Sequence, residues 1–161
     1  MNIFEYAMQL EKESQNFYRH LADGTDITGL KTIFTILATE EAKHYKIVKD
    51  MQAGTPVKFV DTNILSNAKI AFEQMSKSDN KFDPGIDQLE EYKKAQGIEK
   101  KSQDFYQQKA DEVDNPDQKE ILKTLIEEEK KHYFLLQNIM DFLSRPQTWL
   151  ENAEWNHLDE Y

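Results

Sequence analysis

Apolar side chains recur along this chain in steps of three and four, the spacing that puts them on one face of an α-helix. Leu30, Phe34, Leu37, Val48 and Met51 follow it, and so do Leu122, Leu125, Leu136 and Ile139. Phe4, Ala7, Tyr18 and Leu21 form a third stripe, and Tyr92, Ala95 and Tyr106 a fourth. Four long helices are predicted, at about 2–22, from 26 or 28 to about 52, from 86 to about 113, and from 116 to about 144. The first stops at Asp23-Gly24, a helix-ending signal. Asp26 or Thr28 is expected to cap the second, which ends before Gly54 and Pro56. The third starts after Pro84-Gly85, and Pro116 stands at the first position of the fourth, where its missing N–H costs nothing. Short connections make each pair an antiparallel hairpin, and the segment 53–85, with a short helix near 64–75, carries the chain between them. The expected fold is all-α: a four-helix bundle of two antiparallel hairpins joined by a long crossover.

The stripes are not purely apolar. Glu41 and His44 continue the stripe of the second helix, and Glu129 and His132 that of the fourth. Glu11 with Ser14, and Glu99 with Ser102, interrupt the other two. These residues are also a repeat, because Glu11, Glu41 and His44 return as Glu99, Glu129 and His132, each 88 positions later. The surroundings repeat as well. Leu10-Glu11-Lys12-Glu13-Ser14-Gln15-Asn16-Phe17-Tyr18 answers to Ile98-Glu99-Lys100-Lys101-Ser102-Gln103-Asp104-Phe105-Tyr106, and Glu40-Glu41-Ala42-Lys43-His44-Tyr45 to Glu128-Glu129-Lys130-Lys131-His132-Tyr133. The bundle is thus expected over residues 1–145, with repeat halves at about 2–52 and 86–144 and a tail over 146–161. Trp149, Trp155 and Tyr161 in the tail are expected to dock on the bundle or on a second subunit.

Composition narrows the chemistry. The chain has 161 residues, 39% hydrophobic and 31% charged, the profile of one soluble domain with a real core. Its net charge of −10 argues against general nucleic-acid binding, which needs a basic patch. The absence of cysteine removes disulfides, iron–sulfur clusters and thiolate zinc sites. No apolar run approaches the ~18 residues of a membrane span, and no leader-like segment stands at the start, so a cytoplasmic location without membrane contact is expected.

Four carboxylates on inward stripes demand compensation. An isolated buried charge costs several kcal/mol or more, and like charges add to the penalty. Protonation could remove the charge. Two divalent cations would remove it and use the imidazoles too, and oxygen and nitrogen ligands suit iron or manganese, with zinc a possible occupant. Residues three apart on a helix are neighbours, so Glu41 with His44, and Glu129 with His132, can serve one metal region. A single Glu-x-x-His in a Glu-rich helix is more often a solvated face; two, each with a Glu 30 positions upstream, favour metal binding. Tyr18 and Tyr106, two turns beyond Glu11 and Glu99, could donate to ligand carboxylates or simply fill the core. Glu40 and Glu128 repeat but turn off the stripe, which suggests a solvated or supporting role. Tyr45 and Tyr133 are read as packing, and His20 and His157 as ordinary residues.

These motifs resemble the rubrerythrin branch of the ferritin-like di-iron proteins, and the resemblance spans the four helices. It implies a ferritin-like fold with two iron ions per chain (manganese or zinc as alternatives). It implies Glu41 and Glu129 as bridging ligands, Glu11 and Glu99 as terminal ligands, and His44 and His132 completing one iron each. Two departures stand out. Rubrerythrins usually append a rubredoxin-like domain, and with no cysteine here electrons are expected from a separate donor such as a rubredoxin. Rubrerythrins also carry an extra Glu three residues after the lone Glu of the third helix, where this chain has Ser102.

The resemblance implies reduction of hydrogen peroxide to water. The alternatives are a ferroxidase or iron-handling protein using dioxygen, and a metal-binding bundle without turnover. A homodimer is expected, because bundles of this kind commonly pair along a face.

Overall fold

The computed structural model describes residues 2–59, 63–77 and 85–144. Within them the chain forms α1 (Ile3–Asp23), α2 (Thr28–Ala53), α3 (Ile64–Ser76), α4 (Gly85–Glu112) and α5 (Pro116–Ser144). No strand occurs among the described residues. The expected helices are present, each within a few residues of its predicted bounds. The tail aromatics and His157 lie outside the described residues.

Local chemistry sets most of the ends. Asn2 caps α1 through a reciprocal pair: its side chain accepts from the Glu5 N–H at 2.8 Å, and the Glu5 carboxylate accepts from the Asn2 N–H. Asn115 caps α5, its side-chain oxygen accepting from the N–H groups of Asp117 and Gln118 beside Pro116. Gly54 ends α2 at φ 72°, a left-handed conformation that favours glycine. The start of α2 corrects the sequence reading. Neither Asp26 nor Thr28 caps it; the N-cap is Ile27, with no side-chain hydrogen bond, and Thr28 is already helical. The Thr25 hydroxyl instead accepts from the Ile27 N–H at 3.2 Å and shapes the turn before the helix.

α1 packs on α2 and α4 on α5, giving the two hairpins, and these meet along α1–α4 and α2–α5. Contacts across α1–α4, such as Tyr6 with Phe105 and His20 with Glu91, pair the start of one helix with the end of the other, so the helices run in opposite senses. α3 lies across α2 and α5, with Ala68, Ala71, Phe72 and Met75 buried. Gly29 permits its close approach, since a β-carbon there would lie 2.7 Å from the Met75 sulfur.

The apolar core is divided in two. One cluster, including Leu30, Phe34, Phe72, Leu136 and Phe142, fills the end covered by α3. The other, including Ala7, Val48, Leu122 and Leu125, fills the opposite end. Between them lies a belt of buried polar residues contributed by α1, α2, α4 and α5.

Candidate metal centre

The six sequence-predicted residues form that belt. Glu11, Glu41, Glu99 and Glu129 are fully buried, and His44 and His132 nearly so. Their donor atoms fall into two sets, Glu11, Glu41, His44 and Glu129, and Glu41, Glu99, Glu129 and His132; within each set the atoms lie within 4.8 Å of one another. Glu41 and Glu129 belong to both. The imidazoles stack 5.7 Å apart at 11°. Each aims Nδ1 inward: that of His132 lies 2.7 Å from Glu41 Oε1 and 3.3 Å from Glu99 Oε1. Nδ1 of His44 lies 2.6 Å from Glu129 Oε1 and 3.6 Å from Glu11 and Glu41.

The hydrogen-bond inventory is the test of what the belt can hold. Buried polar atoms in folded proteins are nearly always bonded. Here Glu11 Oε2, Glu41 Oε2, Glu99 Oε2, both carboxylate oxygens of Glu129 and Nδ1 of His44 are buried without a hydrogen-bond partner. The short contact of His44 Nδ1 with Glu129 lacks hydrogen-bond alignment. Lone pairs converging on shared space, from oxygen and imidazole nitrogen without sulfur, fit divalent transition metals.

The two tyrosines do more than fill the core: each bonds a buried acid. Tyr18 on α1 donates its hydroxyl to Glu99 Oε1 on α4 at 2.6 Å, and Tyr106 on α4 donates to Glu11 Oε1 on α1 at 2.6 Å. Both are buried. Burial first, then the carboxylates around them, pushes both phenols well above their ordinary range, so they remain donors. Glu40 is buried, Glu128 partly so, and each meets a histidine of the other hairpin. Glu40 Oε2 lies 3.1 Å from His132 Nε2, and Glu128 contacts His44 Nε2. Tyr133 does not pack as expected but is 38% exposed. His20 pairs at the surface with Glu91 at 3.0 Å.

Electrostatics divides the acids into pairs. Burial, then the charges of Glu99 and Glu11, raises Glu41 well above the usual carboxyl range; burial, then Glu11, Glu41 and Glu99, does the same to Glu129. Burial also opposes ionisation of Glu99, but His132 and the neighbouring carboxyls outweigh it and hold the group at about 2. Glu11 is lowered in the same way, against burial, by Glu41, His44 and Tyr106. Burial works against charge on the histidines, yet the surrounding carboxylates raise both well above their ordinary value. Without a cation, these shifts favour protons on Glu41 and Glu129 and on both imidazoles.

A cavity of about 270 Å³ opens outside the α2–α5 seam. Its lining includes Glu40, Lys43, His44, Lys58, Phe59 and Glu128, so it reaches the outer face of one imidazole. Sequence periodicity gave no sign of it, since Lys58 and Phe59 belong to the crossover.

A helical bundle with paired Glu and Glu-x-x-His sets at mid-height defines a buried carboxylate–histidine metal-binding site. The chain belongs to the rubrerythrin family, whose model matches residues 2–140. Neither curated proteins nor solved structures gave a match. Among the described residues no helix is long and apolar enough to cross a membrane.

Proposed function

We propose that this protein is a di-iron oxidoreductase that reduces hydrogen peroxide to water with electrons from an external donor. The ligands in this reading are Glu11, Glu41, His44, Glu99, Glu129 and His132. The observation that carries it is the pair of overlapping donor sets sharing Glu41 and Glu129. The shared carboxylates would span two ions; Glu11 with His44, and Glu99 with His132, would complete one each. A ferrous pair supplies two electrons, and hydrogen peroxide takes up two electrons and two protons to give two waters.

The chain's own residues provide the setting for that chemistry. Tyr18 and Tyr106 fix the orientation of Glu99 and Glu11 from the opposite hairpin. The two apolar clusters exclude bulk water from above and below. The cavity beside His44, about 270 Å³, has room for a small oxidant. None of these residues is a cysteine that could hold an electron-transferring iron, so in this reading the electrons enter from outside the bundle. The family membership favours peroxide as the oxidant.

Anaerobic stopped-flow mixing of the diferrous protein with peroxide and, separately, with dioxygen tests this reading. Peroxide is expected to oxidise the site faster. Much faster oxidation by dioxygen, with turnover of added ferrous iron, would instead make the protein a ferroxidase.

A further inference from the structure

Among the described residues, the buried side-chain atoms without a hydrogen-bond partner belong to Glu11, Glu41, His44, Glu99 and Glu129, with one exception. The exception is the hydroxyl oxygen of Ser102, a residue only 1% exposed and outside the proposed ligand set. A hydroxyl inside a helix has an easy local partner in the carbonyl four residues back. Thr32, Thr35, Thr39 and Thr124 each donate to that carbonyl, at 2.7–3.0 Å. Ser102 does not, so its hydroxyl is free for something else in the belt. Its repeat partner Ser14 is also buried, but the Ser14 oxygen is not among the unpartnered atoms.

Position narrows what that something is. Ser102 stands one turn after Glu99 and one turn before Tyr106 on α4. Both neighbours reach the belt, Glu99 as a member of a donor set and Tyr106 through its bond to Glu11. Residues three and four apart share a helix face, so Ser102 lies on the face of α4 that borders the donor sets. Each set has four residues. Octahedral geometry is usual for manganese among oxygens, and non-haem ferrous sites keep open positions, so four residues leave room for an outside ligand. Ionised carboxylates only accept hydrogen bonds. The Tyr18 and Tyr106 hydroxyls are already committed to Glu99 and Glu11. Ser102 is thus an uncommitted donor beside the ligands.

We propose that Ser102 is a substrate-binding residue, whose hydroxyl donates to the small oxygen ligand that completes the coordination of an ion. That ligand is water at rest and hydrogen peroxide in turnover. The inference rests on the di-iron reading above. Direct ligation by Ser102 explains less, because a neutral hydroxyl attracts a cation more weakly than the carboxylates beside it. A purely spacing role explains less too, since alanine would fill it without burying an unbonded hydroxyl.

The test uses the full chain, loaded with iron and oxidised to the diferric state, with azide as the probe. Azide is a small anion that accepts hydrogen bonds, and its binding to ferric iron gives a visible charge-transfer band. Wild-type protein is expected to develop that band in a saturable titration. Ser102→Ala should weaken azide about 10–100-fold, the loss of one hydrogen bond to a charged group. Ser102→Thr, which keeps a hydroxyl, should recover most of the affinity, and Ser14→Ala should bind azide as the wild type does. Iron content and chelator competition should be the same in all three variants. Metal-free Ser102→Ala should melt no lower than the metal-free wild type, because an unbonded hydroxyl adds nothing to the fold. Unchanged azide affinity in Ser102→Ala, or an equal loss in Ser14→Ala, overturns the proposal. So does loss of iron from Ser102→Ala, which would make the serine a ligand, or a lower melting temperature, which would make it structural. Failure of the wild type to bind iron overturns the di-iron reading itself and is a separate result.

Discussion

Tyr106 on the second hairpin donates its hydroxyl to Glu11 on the first, at 2.6 Å, inside the bundle. Its repeat partner Tyr18 makes the mirror bond to Glu99. A hydrogen bond to a charged acceptor contributes about 1.5–3 kcal/mol, and more is lost when the buried acceptor is left behind. Tyr106→Phe is therefore expected to lower metal affinity about 10–100-fold, mainly at the position served by Glu11 and His44. Tyr18→Phe should act at the position served by Glu99 and His132. Metal titration against a competing chelator would show whether each loss is confined to one of the two positions.

Metal binding should release protons. Without a cation, raised values at Glu41, Glu129, His44 and His132 keep these groups protonated well above their ordinary ranges. Coordination requires carboxylates and neutral imidazoles, so affinity should rise with pH. Calorimetry in buffers of different ionisation enthalpy should register net proton release on zinc binding near neutral pH. Proton uptake, or none, would contradict the charge arrangement described above.

The same shifts set how the metal-free chain responds to pH. A group raised on folding contributes stability that is complete below its ordinary value and lost as pH climbs through the raised one. That covers Glu41 and Glu129 above 4.5 and His44 and His132 above 6.5. Glu11 and Glu99 act oppositely: their contribution is present above 4.5 and lost as pH falls through the lowered value, about 2 for Glu99. Metal-free protein should therefore lose stability on going from about pH 5 to about pH 9, while the zinc-loaded protein should change far less. Urea midpoints with and without chelator would measure the difference.

Much of this was legible in the sequence because the same signal appears in both halves. Periodicity placed Glu41, His44, Glu129 and His132 on inward stripes, and the repeat linked them to Glu11 and Glu99. The structure buries all six. The cross-hairpin partners were harder to read. A helix pattern says that Glu40 leaves the stripe of Glu41, but not which helix it meets, because that depends on how two hairpins dock. The tyrosines stood on the stripe, yet their acceptors lie across α1–α4 and not on their own helix. The start of α2 was misread because Asp26 and Thr28 both have capping chemistry, and only backbone geometry shows Ile27 in the N-cap position.

The shared glutamates should carry a stability cost that the metal repays. Glu129 has both carboxylate oxygens buried without a hydrogen-bond partner, and three other carboxyls raise its energy when charged. Glu129→Gln keeps the shape and removes the ionisable group. Metal-free Glu129→Gln is expected to be more stable than the metal-free wild type at neutral pH, by on the order of 1 kcal/mol, or about 2–4 °C in a domain of this size. It should also lose both ions, because Glu129 belongs to both donor sets. Glu99→Gln should weaken mainly one position, since Glu99 belongs to a single set. Thermal melts and metal analysis of the two variants distinguish these outcomes. If Glu129→Gln retained wild-type metal content, Glu129 could not be a shared ligand.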